Sequence, residues 1–193
     1  MLKERACVAL SSVQTECAFF YELSQKLGNY IPVGTVEFTI EFAKQNKIVI
    51  PGNLSYPLEL RSFLGRDIWR DRFGNVPEDM FVKPVETKIF TGGIKKDLTE
   101  KVADDVQVWA ADPISITAEF RCYIVDKEIV GISRYDDGDD EIEFPGAGLE
   151  VVQNMIARFT AQPAGYAIDV GLVDTKPVLI EVNDGWALGY YPW

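Results

Sequence analysis

Two apolar runs near the carboxyl end constrain the fold more than any other feature of the chain. Tyr166-Ala167-Ile168-Asp169-Val170-Gly171 and Val178-Leu179-Ile180-Glu181-Val182-Asn183-Asp184-Gly185 each read as a strand that carries or ends in acids. The strands are expected over Gly165–Leu172 and Pro177–Val182, joined by the turn Asp174-Thr175-Lys176. Side chains alternate along a strand with period two, so an antiparallel pair allows Asp169 and Glu181 to face one side, with Asn183 pointing the same way. Two carboxylates and an amide oxygen at a sheet end suit Mg²⁺, a hard cation that takes few protein oxygens and completes its shell with water and substrate phosphates. The competing reading has these acids capping strand ends in solvent.

From Met80 onward the pattern is one of short β-rich runs between Gly or Pro turns: Met80–Lys83, Thr87–Phe90, Val106–Trp109 and Ile114–Val125. Glu128–Ser133 is expected to pair with Phe120–Val125 as a hairpin, because Asp126-Lys127 supplies a tight turn between two alternating apolar runs. A helix from about Gly148 to Gln162 carries Val151, Val152, Met155, Ile156 and Phe159 along one side.

The first part of the chain is more helical. Ala6–Leu10 reads as a short strand, and Val13, Cys17, Phe20, Leu23 and Leu27 recur at the spacing of an amphipathic helix ended by Gly28-Asn29. Val36–Phe42 alternates like a strand, but Thr35 as an N-cap and the following Ala43-Lys44-Gln45 favour a helix. Lys47–Ile50 reads as a strand, and Pro57–Phe73 as a helix through Leu60, Leu64, Ile68 and Trp69, with Arg61, Arg66, Arg70 and Arg72 on a solvated face.

Composition excludes several chemistries. The 193 residues include no histidine, which rules out Ser-His-Asp and Cys-His catalysis and zinc sites built on imidazole. Cys7, Cys17 and Cys122 form no ligand spacing and are expected to be reduced, packed thiols. A formal charge of −11 without a Lys/Arg stripe argues against nucleic-acid binding. The acidic run Asp136–Glu141 is out of register with a calcium-binding loop and is expected to be a solvated loop. No stretch approaches the about 20 apolar residues of a membrane span, and the charged start does not resemble a signal peptide, so a cytoplasmic location is expected.

On the cationic side, Phe81-Val82-Lys83-Pro84 ends an apolar strand with a lysine, followed by Glu86, Lys88 and Gly92-Gly93. A strand lysine near a glycine turn is able to set a cation and free N–H groups against phosphate oxygens. Neither the Walker pattern nor GxGxxG is present. Arg121, between Phe120 and Cys122 in a strand, needs an anionic partner if buried, whether a phosphate or a protein carboxylate.

In order, Phe81-Val82-Lys83-Pro84, Glu119-Phe120-Arg121-Cys122-Tyr123-Ile124-Val125, Ile168-Asp169-Val170-Gly171 and Ile180-Glu181-Val182-Asn183-Asp184-Gly185-Trp186 resemble the ATP-grasp family. The likeness is to its compact phage and bacterial branch, described by one arginine and two lysines. Pro32–Phe38 and Tyr56-Pro57 share in it. The resemblance implies an α+β fold, two antiparallel-sheet lobes with flanking helices enclosing a nucleotide cleft. On this resemblance residues 78–193 are expected to form the core, and 1–77 an N-terminal α/β region on the substrate side. It implies ATP and Mg²⁺ as cofactors. The resemblance further implies that Lys83 contacts the α- and β-phosphates, that Lys88 is the second phosphate-side lysine, and that Gly92-Gly93 form a flexible loop over the nucleotide. By the same resemblance Val108, Trp109 and Ala110 are expected to supply the hinge backbone to adenine, Asp112 or Glu119 to reach the ribose, and Arg121 to hold the γ-phosphate or acyl phosphate. Asp169, Glu181 and Asn183 match the family's magnesium ligands. Lys83 and Arg121 are expected to act catalytically.

The implied activity is carboxylate–amine ligation on small-molecule or peptide substrates, which needs no enzyme nucleophile and hence no histidine. A nucleotide-binding module without turnover that docks on a partner protein is the alternative. A kinase-like phosphotransferase finds no catalytic-loop motif. The aromatic tail Trp186–Trp193 is expected to pack on the core.

Overall fold

The computed structural model describes residues 36–50, 52–86, 89–136, 138, 142–186 and 188. The expected strand at Ala6–Leu10, the helix through Val13–Leu27, Cys7 and Cys17, Lys88, and the tail beyond Trp186 apart from Leu188 lie outside the described residues. The chain divides into two compact units, 1–52 and 53–193. In the first, Val36–Gln45 is a helix, α1, with Glu37 in its first turn and Lys44 in its last, as the helix dipole favours. Lys47–Ile50 is not a strand. Lys47 takes a left-handed φ of 56°, Ile48 N–H bonds back to Ala43, and Val49 is 89% exposed.

The second unit holds two four-stranded sheets in which every pairing is antiparallel. Sheet 1 contains β1 (Ile68–Arg72), β2 (Phe81–Pro84), β3 (Gly93–Ile94) and β4 (Gln107–Ala111), in the order β1-β4-β2-β3. Sheet 2 contains β5 (Ala118–Val125), β6 (Glu128–Arg134), β7 (Gly165–Val173) and β8 (Lys176–Asp184), in the order β6-β5-β7-β8. Residues 112–117 connect the two. Thr87–Phe90 is not a strand as expected: Ile89 and Phe90 are bends, and Thr87 lies outside the described residues.

The helix expected over Pro57–Phe73 is cut in two. Leu58–Phe63 is a 3₁₀ turn, Gly65 adopts a φ of +64°, and Ile68–Arg72 pairs with β4 from Ile68↔Ala111 to Arg72↔Gln107. Helical spacing is genuine up to Leu64, since Leu60 and Leu64 are both buried. Ile68 and Trp69 then pack into different cores, as the alternation of a strand requires.

Both long hairpins of sheet 2 turn on two residues with positive φ, Asp126-Lys127 (47° and 71°) and Asp174-Thr175 (48° and 67°), the mirror-image turn that matches strand twist. Behind sheet 2 lies α2 (Gly146–Arg158), whose Val152, Met155 and Ile156 meet Cys122, Ile124, Ile168, Val170, Leu179 and Val182 in the main core. The helix stops short of the expected Gln162, whose side-chain amide donates to the Ile156 and Phe159 carbonyls and closes the end. Sheet 1 has a smaller core of Val76, Val82, Phe90, Val108 and Ala110, covered mainly by loops. Among the described residues no helix is long and apolar enough to cross a membrane.

Candidate functional site

Alternation sends Phe120, Cys122 and Ile124 of β5 into the cores and Glu119, Arg121 and Tyr123 to the opposite face. Register then builds a row across sheet 2: Ser133, Arg121, Asp169 and Glu181 are successive neighbours on β6, β5, β7 and β8. The next row runs Tyr123, Ala167, Asn183. Sheet 1 offers a row of its own, Arg70, Trp109 and Lys83 on β1, β4 and β2. Lys83 and Glu181 form an ion pair, so the two rows meet end to end.

Within sheet 2 the charges are tightly satisfied. Arg121 donates from Nε to Asp169 Oδ1 and from Nη2 to Oδ2, each at 2.8 Å, and Asn183 Nδ2 donates to Oδ2 at 2.8 Å. Arg121 is 8% exposed and Asp169 1%, so this bidentate pair is what makes either burial tolerable. The Arg121 guanidinium also lies 5.2 Å from the Tyr135 ring centroid. Burial and the charges of Asp169 and Glu119 push the Tyr135 hydroxyl, hydrogen-bonded to Glu119, above its ordinary value.

The sheet 1 row is aromatic and cationic. Tyr56 meets Trp109 edge-on at 4.9 Å, Arg70 stacks on Trp109 at 4.3 Å, and the Lys83 ammonium lies 5.3 Å from the Tyr56 ring. Burial pushes Lys83 down to about 8, against the opposing pull of Asp169. The Trp109 indole N–H is buried without a partner.

Each expected site residue other than Lys88, which lies outside the described residues, has a definite place. Asp169, Glu181, Asn183, Arg121 and Lys83 are brought together. Gly92 lies directly behind Lys83, where a Cβ would come within 3.0 Å of the lysine Cβ, but Gly93 is paired with Val82 in β3 rather than free in a loop. Val108, Trp109 and Ala110 have strand partners on both sides, so their backbone groups are engaged by β1 and β2. Backbone free of sheet pairing begins after Ala111. Asp112, at the start of the 112–117 link, is exposed, with its N–H on the Asp67 carbonyl. Glu119 sits one row along from Arg121.

The role of one residue of this neighbourhood escaped sequence reasoning. Arg66, expected on a solvated face, donates to the carbonyls of Leu64, Leu179 and Ile180 and is hydrogen-bonded to the Tyr56 hydroxyl. Burial raises Tyr56 to about 12, and Arg66 partly offsets the rise. The one local signal was Gly65, a helix-breaking residue inside an otherwise helical run.

As a donor set, Asp169, Glu181 and Asn183 are all hard oxygens, which fits Mg²⁺ and not a soft or imidazole-seeking metal. No three His, Cys, Asp or Glu side chains cluster among the described residues, so the amide of Asn183 is needed to complete the set. Each carboxylate already faces one cation, Arg121 or Lys83. Such a balanced cluster suits a metal that arrives with its own anion.

A family model describing an ATP-grasp domain, family 2 of the clade designated by one arginine and two lysines, matches residues 63–193. No curated protein matches the chain. Among solved structures, D-alanine–D-alanine ligase from Bacillus anthracis complexed with ATP is 18% identical over 65% of this chain and 50% of that one, with a TM-score of 0.45. The ATP-grasp ligase PsnB complexed with precursor peptide PsnA2 and AMPPNP is 14% identical over 68% and 47%, with a TM-score of 0.46. PsnB with minimal precursor, Mg and ADP is 18% identical over 65% and 46%, at 0.44. The chain thus spans about half the length of these structures.

Proposed function

We propose that this chain, which belongs to family 2 of the arginine-and-two-lysine clade of ATP-grasp domains, binds ATP with Mg²⁺ between its two sheets and activates a carboxylate for attack by an amine. The observation that carries the reading is the meeting of Lys83 from one sheet with Glu181 from the other, beside the Arg121–Asp169 pair. Asp169, Glu181 and Asn183 hold the metal, whose chemistry is to neutralise charge on phosphate oxygens. Lys83 leaves Glu181 for the α- and β-phosphates, with Lys88 as the second lysine on that side. Arg121, anchored on Asp169, serves the γ-phosphoryl group.

The substrate carboxylate oxygen forms a bond to the γ-phosphorus as the bond to ADP breaks. The amine nitrogen then attacks the acyl carbon, phosphate leaves, and the amine proton passes to solvent. No side chain forms a covalent bond, so the lack of histidine is no obstacle. Adenine is assigned to the backbone beyond Ala111, with Asp112 or Glu119 on the ribose and Gly92-Gly93 close behind the phosphates. The carboxylate side falls to residues 1–77, apart from β1. Substrates are small-molecule or peptide carboxylates and amines.

Incubation with Mg-ATP and pools of amino acids tests the reading through acceptor-dependent release of ADP and phosphate. Nucleotide bound tightly but never released as ADP would favour a module that docks on a protein partner. Glu181→Ala is expected to abolish magnesium-dependent nucleotide binding while costing about 0–1 kcal/mol of stability, since Glu181 is half-buried on an edge strand. A variant that binds Mg-ATP as the parent does overturns the metal site.

A further inference from the structure

Between Val173↔Lys176 and Val170↔Leu179 the β7–β8 hairpin runs in the register set by its two-residue turn. Continued unbroken, that register would set Ile180 against Asp169 and Glu181 against Ile168. It shifts instead at one point, so that Asp169 faces Glu181 and Ala167 faces Asn183. Ile180 is the extra residue of a β-bulge. Because the side-chain period is two, a slip of one residue exchanges the faces. Without the bulge, Glu181 and Asn183 would lie on the face of Ile168 and Tyr166, both buried in the core against α2. The bulge is therefore what brings the three oxygen-bearing side chains to one side.

A bulge on an edge strand needs something to hold it. In a regular strand successive carbonyls point to opposite edges. Here the Leu179 and Ile180 carbonyls both reach one guanidinium, that of Arg66, at 3.2 Å from Nη1 and 3.4 Å from Nη2. The preceding residue is shaped for this approach: Gly65 is left-handed, and a Cβ there would come within 2.8 Å of Val178 Cγ1. On the far side of the bulge, Val182 N–H donates to the Ser55 carbonyl at 2.8 Å. The edge of β8 is thus pinned just before and just after Glu181.

We infer that Arg66 is a positioning residue for the metal ligands, its planar fork holding the β8 bulge that turns Glu181 and Asn183 toward Asp169. The inference rests on the metal reading proposed above. Lysine keeps the charge but not the two-pronged reach, so it replaces Arg66 only in part.

The test is Mn²⁺ binding measured by electron paramagnetic resonance in the presence of ADP, for the parent, Arg66→Ala, Arg66→Lys, Gly65→Ala and Glu181→Ala. Arg66→Ala is expected to weaken Mn²⁺ binding by about 10–100-fold, as loss of a partner that orients a ligand does. Arg66→Lys and Gly65→Ala fall between it and the parent. ADP affinity measured in chelator stays at the parent value, and amide hydrogen exchange at Glu181–Asn183 accelerates. If Arg66→Ala does not fold, Arg66→Lys reports the same direction. Unchanged Mn²⁺ affinity in the Arg66 variants, with Glu181→Ala defective, overturns the positioning role alone. An equal loss of ADP affinity in chelator overturns it too, because Arg66 would then contact phosphate itself. Should Glu181→Ala bind Mn²⁺ like the parent, the metal reading falls and this inference with it.

Discussion

The two sheets meet at the Lys83–Glu181 ion pair and have opposite designs. Sheet 2 has strands of 7–9 residues, a helix behind it, and a row of charges whose members satisfy one another: Arg121 on Asp169, Asn183 on Asp169. Sheet 1 has strands of 2–5 residues, loops behind it, and a row in which a lysine and an arginine rest on aromatic rings. One is a rigid floor that fixes acids in place. The other is a lighter cover whose lysine reaches across to the floor. The lesson lies in how each charge is held: the buried Asp169 carboxylate is matched by a cation of its own sheet, whereas the partly exposed Lys83 ammonium finds its partner, Glu181, on the other sheet.

The sharpest way to break this comparison is Arg121→Ala. It strands the Asp169 carboxylate in the interior and is expected to cost about 3–5 kcal/mol, read by urea unfolding. A negligible cost would mean that sheet 2 is no more rigid than its partner. Lys83→Met probes the other side. Its partly exposed ion pair makes the stability change less than about 1 kcal/mol. Loss of a charge-assisted phosphate contact worth about 1.5–3 kcal/mol should nonetheless weaken nucleotide binding by about tenfold or more, measured by calorimetry. A variant as unstable as Arg121→Ala would erase the distinction.

The smallest effect lies at the end of β6, where hydrogen bonds from Arg134 hold the Asp136 carboxyl down at about 2 against an ordinary 3.8. A depressed carboxyl contributes stability that is present above its unfolded value and lost as pH falls through the folded one. Asp136→Asn should therefore be less stable than the parent at pH 7, converge with it as pH falls to about 2, and flatten the loss between pH 4 and 2, followed by circular dichroism. An unaltered acid limb would show that this pair does not brace sheet 2.

What could be read from sequence follows the range of the interaction concerned. The helix α2, the hairpin at Asp126-Lys127 and, with its turn read one residue too long, the β7–β8 hairpin were legible because periodicity and turn chemistry act within a few residues. So was the shared face of Asp169 and Glu181, although by a different route. A three-residue turn at Asp174–Lys176 leads to that register directly, whereas the chain makes a two-residue turn and restores the register through the bulge at Ile180. The strand β1 was read as helix because Leu60, Leu64, Ile68 and Trp69 satisfy a helical spacing, and only pairing with β4, about forty residues on, decides otherwise. The expected strand at Lys47–Ile50 does not form, because Lys47 turns left-handed and the Ile48 N–H bonds back to the Ala43 carbonyl at the end of α1.

By itself the sequence determined which chemistry is open to this protein. The chain has no histidine, and it sets the oxygen-bearing Asp169, Glu181 and Asn183 at strand spacing and the cationic Lys83 and Arg121 on other strands. Tertiary structure alone decided that Lys83 reaches Glu181, that Arg121 is spent on Asp169, and that Arg66 leaves solvent to grip β8 from 113 residues away. The reason is physical: residue type and local period set what a side chain is able to do, but register, bulges and facing sheets are made by contacts between distant segments, which no local pattern encodes.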